Sequence, residues 1–288
     1  MVSKGDFHLH STASDGVLSP AEVVDLAAGR GVRMLALTDH DSTEGVAEAR
    51  QAAARWPGLT LISGVEMGTD IPGAEVHVVG LFLEPEDAEL QAALRRLRDS
   101  RVVRAQRMVE KLRALGYDVT WEQVLRFAGD GAVGRPHVAH ALVEKGYIEN
   151  VSQAFEGLID RNGVAYMERE KMTPAEAVRT IVRLGGVAVL AHPADLERLD
   201  ELLAELKDAG LAAMEVYYKD YDEATIARLR DAADRFGLIP GGGTDFHGIF
   251  GEGEPLPGDI PLPDWVADRI LELGAEARAV RERRTASR

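Results

Sequence analysis

Short apolar runs separated by amphipathic segments occupy most of the chain. The runs at 34–37, 59–62, 76–83, 187–191 and 212–216 have the length of buried strands, and residues 6–10 form another candidate. Helical spacing of apolar residues predicts helices after Ser19 and at about 43–55, 197–209, 223–236 and 264–283. Strands that alternate with helices in this way predict βαβ units and a parallel sheet, and therefore an α/β fold.

Two helix starts carry a recognisable capping box. Ser19 is followed by Pro20 and, three residues on, by Glu22; Thr173 is followed by Pro174 and Glu176 in the same arrangement. In a capping box the hydroxyl accepts from a backbone N–H of the first turn, and the acid reaches back to the capping residue. These positions therefore fix where two of the helices begin.

The pattern changes between about residues 84 and 171. A long or broken helix is predicted over 86–115, and shorter helical patterns follow at 121–127, 136–145 and 151–160, with no strand signal between them. We therefore expect one α/β domain made of residues 1–84 and 172–288, including the C-terminal helix, with an all-helical insertion at 85–171. The arginines of the long helix are interleaved with acids, which favours a solvated face over a nucleic-acid track; they are Arg95, Arg96, Arg98, Arg101, Arg104 and Arg107.

Composition excludes several classes of function. The 288 residues include no cysteine, so disulfides, zinc-thiolate sites and cysteine nucleophiles are ruled out. A formal net charge of −15 disfavours binding to duplex DNA. No apolar run reaches the ~20 residues that span a bilayer, and the N-terminus lacks the apolar core of a signal peptide. The expected location is the cytoplasm, away from membranes.

Histidines and acids recur near the ends of the predicted strands. In a strand over residues 6–10, His8 and His10 point to the same side, and Asp15 follows after a Ser/Gly-rich turn. The other members of this set are His40, Glu66, His77, His192, Asp245 and His247. His77 is the exception, because it lies at the start of its strand. The carboxyl ends of parallel barrel strands meet on one face, so the nine side chains predict a site for two or three divalent ions.

Other kinds of active site fit the sequence less well. The chain has no G-x-S-x-G elbow, and the set of histidines and acids is too large for a Ser-His-Asp triad. The three glycines at 241–243 lack the Gly-Lys-Ser/Thr of a phosphate-binding loop. We interpret them as a place where backbones approach closely beside the site.

The segments that carry these residues resemble the motifs of the PHP (polymerase and histidinol phosphatase) family. The matching motifs are Asp6-Phe7-His8-Leu9-His10-Ser11 with Ser14-Asp15-Gly16, Leu37-Thr38-Asp39-His40-Asp41, Gly64-Val65-Glu66, His77, Ala191-His192-Pro193 and Thr244-Asp245-Phe246-His247-Gly248. The resemblance covers nearly the whole chain and implies a distorted (β/α)7 TIM-like barrel with a trinuclear metal site, over which the helical insertion forms a cap. Thr244 stands where relatives usually have Ser, and the hydroxyl is retained.

The resemblance also implies roles for individual residues. One metal would be held by His8, His10, Glu66 and Asp245, a second by Glu66 as a bridge with His77 and His192, and a third by Asp15, His40 and His247. Catalysis would rest on Glu66, His8, His10 and Asp245 together with a metal-bridging hydroxide that attacks phosphorus. Manganese is the preferred metal, although histidine and carboxylate ligands also accept iron and zinc.

Within the family, Gly134-Arg135-Pro136-His137 resembles the branch that removes the 3′-phosphate from nucleoside 3′,5′-bisphosphates or trims short oligonucleotides from the 5′ end. Arg135 and His137 would then contact phosphate, and either His137 or a metal-bound water would protonate the leaving group. His140 is expected to pack in the insertion, and Tyr217, Tyr218 and Tyr221 either stack on a base or line the barrel mouth. The expected partner is a small phosphorylated nucleotide or an oligonucleotide 5′ end.

Two alternatives remain open from the sequence. The first keeps the chemistry but changes the substrate to histidinol phosphate or another small phosphomonoester. The second is a non-catalytic accessory or scaffold domain. The sequence does not decide the oligomeric state.

Overall fold

The centre of the fold is a seven-stranded sheet whose strands follow their order along the chain. The computed structural model describes residues 2–129, 131–168, 172–248 and 253–286. A parallel bridge between Leu9 and Phe246 connects the two edges, so the sheet forms a nearly closed barrel and the predicted α/β barrel is confirmed. The strands are β1 (Gly5–Leu9), β2 (Met34–Leu37), β3 (Thr60–Ile71), β4 (Ala74–Leu81), β5 (Val187–Leu190), β6 (Ala213–Tyr218) and β7 (Ile239–Gly243).

The prediction of an entirely parallel sheet is wrong at β4. This strand pairs antiparallel with both β3 and β5, whereas the other neighbouring pairs are parallel. A two-residue turn with Gly73 at a φ of +91° joins β3 directly to β4, and a parallel connection would need a longer crossover. Because β4 runs in the opposite direction, its first residues lie where its parallel neighbours end. His77, near the start of β4, therefore lies at the same end of the barrel as the residues that follow the parallel strands.

The helices begin at the capping residues that the sequence indicated. The Ser19 hydroxyl accepts from Glu22 N while the Glu22 carboxylate accepts from Ser19 N, and Thr173 and Glu176 form the same pair of bonds. The helices are α1 (Pro20–Arg30), α2 (Val46–Ala53), α3 (Ala88–Ala114), α4 (Trp121–Ala128), α5 (Arg135–Glu144), α6 (Val151–Ala154), α7 (Pro174–Arg183), α8 (Leu199–Ala209), α9 (Glu223–Phe236) and α10 (Asp264–Ala286).

The elements between β4 and β5 are all helices in the described part of the chain, and turns and loops join them. α3 is a single helix of 27 residues, about 40 Å long at 1.5 Å per residue. Its first half places Leu90 and Leu94 against the barrel, while Met108 and Leu112 join a separate apolar cluster within the insertion. The helix predicted over 151–160 is wrong beyond Ala154, and Gly157 shortly afterwards adopts a φ of +95° that ends the helical path.

Two arginines of α3 contradict the predicted solvated face. Arg95, Arg96 and Arg107 are exposed, but Arg101 and Arg104 are only 5% and 2% exposed. A periodic pattern of charges cannot show that a partner from a distant segment covers one face of the helix.

α10 contributes to the barrel core. Val266 and Ile270 of this helix are buried together with side chains from the strands, among them Phe7 and Val189. The described residues contain no helix that is long and apolar enough to cross a membrane.

Candidate metal centre

The nine predicted ligand residues meet at one end of the barrel. β1 supplies His8, with His10 just beyond it, and the following loop supplies Asp15. β3 and β4 contribute Glu66 and His77 from within the strands. The segments after β2, β5 and β7 supply His40, His192, Asp245 and His247.

Glu66 lies at the centre of this cluster. Its Oε2 is 2.9 Å from His40 Nδ1 and 3.3 Å from the Nε2 atoms of both His8 and His10. Its Oε1 is 2.8 Å from His77 Nδ1 and 3.2 Å from His192 Nε2. A buried carboxylate that faces imidazoles with both oxygens has the geometry of a group that bridges two cations.

Asp245 and Asp15 flank the central carboxylate. Asp245 Oδ1 lies 3.0 Å from His10 Nε2 and 3.3 Å from His8 Nε2. On the other side, Asp15 Oδ1 is 3.4 Å from His247 Nε2, and Asp15 Oδ2 is 3.8 Å from His40 Nε2. The acids and imidazoles therefore form one continuous cluster.

Unpaired buried atoms show that this cluster fits divalent ions. His8 Nε2, both ring nitrogens of His10, Asp15 Oδ1, His40 Nδ1 and Glu66 Oε2 are buried without a hydrogen-bond partner. Buried polar atoms are normally satisfied, so atoms that point together into one space call for a ligand such as a cation. Nitrogen and carboxylate oxygen are suitable donors for manganese, iron or zinc.

Three overlapping groups in the cluster place one donor atom from each residue within 4.8 Å of the others: His8, His10, Glu66 and Asp245; His40, Glu66 and His77; and His10, Asp15, His40 and His247. The first group has the membership implied by the resemblance. The second contains His40 instead of His192, although His192 also contacts Glu66, and the third has His10 in addition. The assignment of each ligand to a particular ion therefore stays a prediction.

Opposite charges within the cluster shift the pKa values of several of its acids and imidazoles. Burial alone would raise the pKa of Glu66, but the surrounding imidazoles, His40 and His77 foremost, hold that pKa well below its usual range. Burial would lower the pKa of His10, yet Asp245 and Glu66 raise it to about 9. His40 behaves differently, because burial lowers its pKa to about 4.

Comparison with known proteins places this site in a family. The model of the PHP domain matches residues 6–176. The chain belongs to the PHP family. It is 36% identical over 272 residues to the 3′,5′-nucleoside bisphosphate phosphatase of Chromobacterium violaceum, covering 90% of this chain and 94% of that protein. It is also 36% identical to a 5′-3′ exoribonuclease of Haemophilus influenzae, covering 86% of this chain and 91% of that protein.

A solved structure supports the same conclusion. An amidohydrolase from Chromobacterium violaceum, with bound sulfate and no metal, has a TM-score of 0.83 and 34% identity, covering 95% of this chain and 96% of that chain. The predicted family, barrel fold and enzyme class are therefore confirmed. The chain is a PHP phosphoesterase, a phosphoric ester hydrolase whose family implies divalent metal ions.

The PHP site includes a carboxylate that sequence reasoning missed. Glu215, in β6, accepts from the His192 backbone N–H at 2.7 Å through Oε2, and its Oε1 lies 2.8 Å from His8 Nδ1. A carboxylate can only accept, so it keeps the proton on Nδ1 and leaves the lone pair of His8 Nε2 directed into the cluster. A single acid among Ala213, Met214 and Val216 was the signal in the sequence.

Two side chains next to Asp245 belong to the site as well. The sequence left the role of Tyr218 open and gave no signal for Lys219. The Tyr218 hydroxyl donates to Asp245 Oδ2 at 2.6 Å, and Lys219 Nζ is 3.0 Å from the same oxygen. Lys219 Nζ also donates to the Asp245 carbonyl oxygen, in a residue whose φ is +48°. Tyr218 and Lys219 thus hold Oδ2 of Asp245 and leave its Oδ1 directed towards the imidazoles of His8 and His10.

Close backbone contact at 243 brings β7 against β1, as the run of glycines predicted. A Cβ at Gly243 would lie 2.6 Å from His8 N, which is closer than side chains tolerate. Asp6 joins the same strands, because its carboxylate accepts from Thr244 N at 3.0 Å and Thr244 Oγ1 at 2.7 Å. Burial raises the pKa of Asp6 to about 6.

The helical insertion contributes the predicted phosphate residues. Arg135 forms an ion pair with Glu75 beside His77, and His137 is 4% exposed at the first turn of α5. His137 Nδ1 accepts from Gly134 N at 2.9 Å. His140 packs as expected, with its ring stacked on Phe127 at 5.4 Å between centroids.

Proposed function

We propose that this PHP phosphoesterase hydrolyses the 3′-phosphate of nucleoside 3′,5′-bisphosphates, and that it also acts on the 5′-phosphorylated end of short oligonucleotides. The observation that carries the proposal is a cluster of carboxylates and unpaired imidazole nitrogens beside which α5 places Arg135 and His137. The relatives that act on bisphosphates and on RNA, by their names, cover most of this chain.

The cluster would hold three divalent ions, with manganese preferred and iron or zinc accepted. His8, His10, Glu66 and Asp245 would hold the first, Glu66 with His77 and His192 the second, and Asp15, His40 and His247 the third. Divalent ions in such a site lower the pKa of bound water and neutralise phosphate oxygens. Glu66, His8, His10 and Asp245 would fix the position at which water and phosphorus meet, in line with the departing oxygen.

Arg135 and His137 would orient the phosphate. The guanidinium of Arg135 has a planar fork that matches two phosphate oxygens. His137 Nδ1 is occupied as an acceptor, so the ring is neutral with its proton on Nε2, and burial lowers its pKa. A neutral ring of this kind donates a hydrogen bond but does not release a proton easily. This favours a coordinated water over His137 as the acid that protonates the leaving group.

The insertion, residues 85–171, would act as a cap over the metal centre. Ala132 N donates to Ala13 O at 3.2 Å, and a Cβ at Gly131 would lie 2.5 Å from Thr12 O. These contacts place the segment before α5 directly against the loop that carries Asp15. The cap would therefore restrict the site to small substrates and to single-stranded ends.

A substrate panel tests this proposal. The Mn²⁺-loaded protein is assayed for phosphate release from adenosine 3′,5′-bisphosphate and histidinol phosphate, and for nucleotide release from a 5′-phosphorylated oligoribonucleotide. We expect the bisphosphate to have the highest kcat/KM. Higher activity on histidinol phosphate would favour the small-phosphomonoester alternative instead.

Two substitutions connect the activity to the residues. Glu66→Gln should abolish turnover of every substrate, and equal activity of this variant and the wild type would support a scaffold domain. Arg135→Gln should lower kcat/KM for the bisphosphate by about 10- to 100-fold, the value of a hydrogen bond to a charged group. Arg126→Gln is the matched control, because Arg126 also lies in the insertion but pairs with the exposed Glu144.

A further inference from the structure

A buried arginine of α3 has a hydrogen-bonding atom that no described residue of the protein uses. Arg101 is 5% exposed, and its Nε bonds to Asp41, whose side chain is fully buried. Its Nη2 is buried and has no hydrogen-bond partner among the described residues. An unsatisfied donor on a buried guanidinium is costly, so this atom points to a ligand that is an acceptor.

The orientation of Arg101 is fixed by the barrel. Asp41 Oδ1 accepts from Gly68 N at 3.0 Å, and the Asp41 carbonyl oxygen accepts from Arg98 at 2.8 Å. Asp41 is thus held by β3 through its carboxylate and by α3 through its carbonyl oxygen. An arginine anchored through Nε presents its two terminal nitrogens in a constant direction, as a preorganised anion site requires.

The surroundings of Arg101 join the metal centre to the insertion. Its charge acts on Asp15, and it also acts on His40 and His137. Two further arginines lie against Glu75. Arg135 forms an ion pair with Glu75, and Arg104 Nη1 is 3.8 Å from Glu75 Oε1.

The charged groups around Arg101 indicate which phosphate of the substrate would bind there. In the proposed function the metal ions neutralise the phosphate that is cleaved. Arg101, Arg104 and Arg135 bring three guanidinium groups to the region of Asp41 and Glu75, and a forked guanidinium suits the oxygens of a phosphate. A substrate with one phosphate has no group to place there.

We propose that Arg101 binds, through Nη2, the phosphate of the substrate that is not cleaved, and that it thereby selects nucleoside bisphosphates over monophosphates. This rests on the proposed function and adds the residue that recognises the second phosphate. Arg104 and Arg135 lie beside it, against Glu75.

The test compares two substrates in one variant. Arg101→Lys keeps a positive charge beside Asp41 but lacks the forked guanidinium. We expect kcat/KM for adenosine 3′,5′-bisphosphate to fall by about 10- to 100-fold, while kcat/KM for adenosine 3′-monophosphate changes by less than about twofold. Inhibition by adenosine 5′-monophosphate, which carries only the uncleaved phosphate, should weaken by a similar factor. Arg107→Gln, exposed on the same helix, should leave all three values unchanged.

Equal losses on both substrates would overturn the proposal, because they would place Arg101 at the cleaved phosphate or in the support of the metal centre. An unchanged value for the bisphosphate would overturn it too. If circular dichroism shows that the variant does not fold, the activity of the wild type on the two substrates still tests the proposal. It should prefer the bisphosphate to the 3′-monophosphate by more than about tenfold, and equal rates would refute a second phosphate site. A wild type inactive on both substrates would instead refute the proposed function.

Discussion

Glu215 offers a sharp test of how the metal centre is organised. Its two oxygens accept from two different groups, the ring of His8 and the backbone N–H of His192. The substitution Glu215→Gln keeps the shape of the side chain but replaces one acceptor with an NH₂ donor. Whichever way the amide turns, one of the two contacts becomes impossible.

Both orientations should weaken metal binding. If the amide oxygen faces His192 N, the NH₂ group faces His8 Nδ1, which must then accept and shift its proton to Nε2, the atom that is directed into the cluster. If the amide is reversed, two donors oppose each other in a buried place. Loss of such a supporting contact costs about 10- to 100-fold in metal affinity, which corresponds to about 1.4 to 2.8 kcal/mol.

The assay is a titration of activity against free Mn²⁺ in a metal buffer, together with metal content after gel filtration. Glu215→Gln should shift the midpoint to higher Mn²⁺ concentration and regain much of its activity at saturation. Glu205→Gln, an exposed glutamate on α8, is the control. A titration curve for Glu215→Gln that coincides with the wild type, in a folded protein, would show that His8 does not depend on this carboxylate.

Further predictions concern the neighbours of the cluster. Tyr218→Phe removes a donor to Asp245, so calorimetry should show Mn²⁺ affinity reduced by about tenfold or more; unchanged affinity would mean that the bond does not fix the carboxylate. Gly243→Ala places a methyl group against the backbone of β1 and should lower the free energy of unfolding by about 1–3 kcal/mol. Gly241→Ala meets nothing closer than 3.6 Å and should change it little, so thermal melting curves that are the same for the two variants would contradict the prediction. Because the pKa of His10 is about 9 without metal, its ring is protonated at neutral pH and metal must displace that proton. Apparent affinity should therefore rise towards pH 9 with proton release, detectable by titration in buffers of different ionisation enthalpy, and a pH-independent affinity would contradict this.

The sequence was most informative where a residue type and its position in a strand combine. His8 and His10 are two residues apart at a strand end, and period-two alternation alone predicts that they face the same side. Glu66 lies inside β3 instead of after it, because the strand continues to Ile71 to pair with β4. The convergence of the nine residues was predictable even though that strand boundary was not.

Direction of a strand and burial of a charge were harder to predict. The turn that reverses the chain into β4 contains Pro72 and Gly73, a turn signal that the alternation of strands and helices obscured. Arg101 looked like any charged helical residue, because Asp41, which buries its guanidinium, is sixty positions away. Long-range pairing of this kind leaves no periodic trace in the sequence.

The reversed strand has a consequence for how such proteins can be recombined. Since β4 finishes at the far end of the barrel, α3 must travel back along its length, and a single helix is shared by two apolar clusters. A chimera that exchanges the insertion at residue 85 would remove Leu90 and Leu94 from the recipient's scaffold. A junction beyond Ala114 would instead deprive the transplanted insertion of Met108 and Leu112, so transplantation should succeed only when the two halves of α3 match their separate clusters.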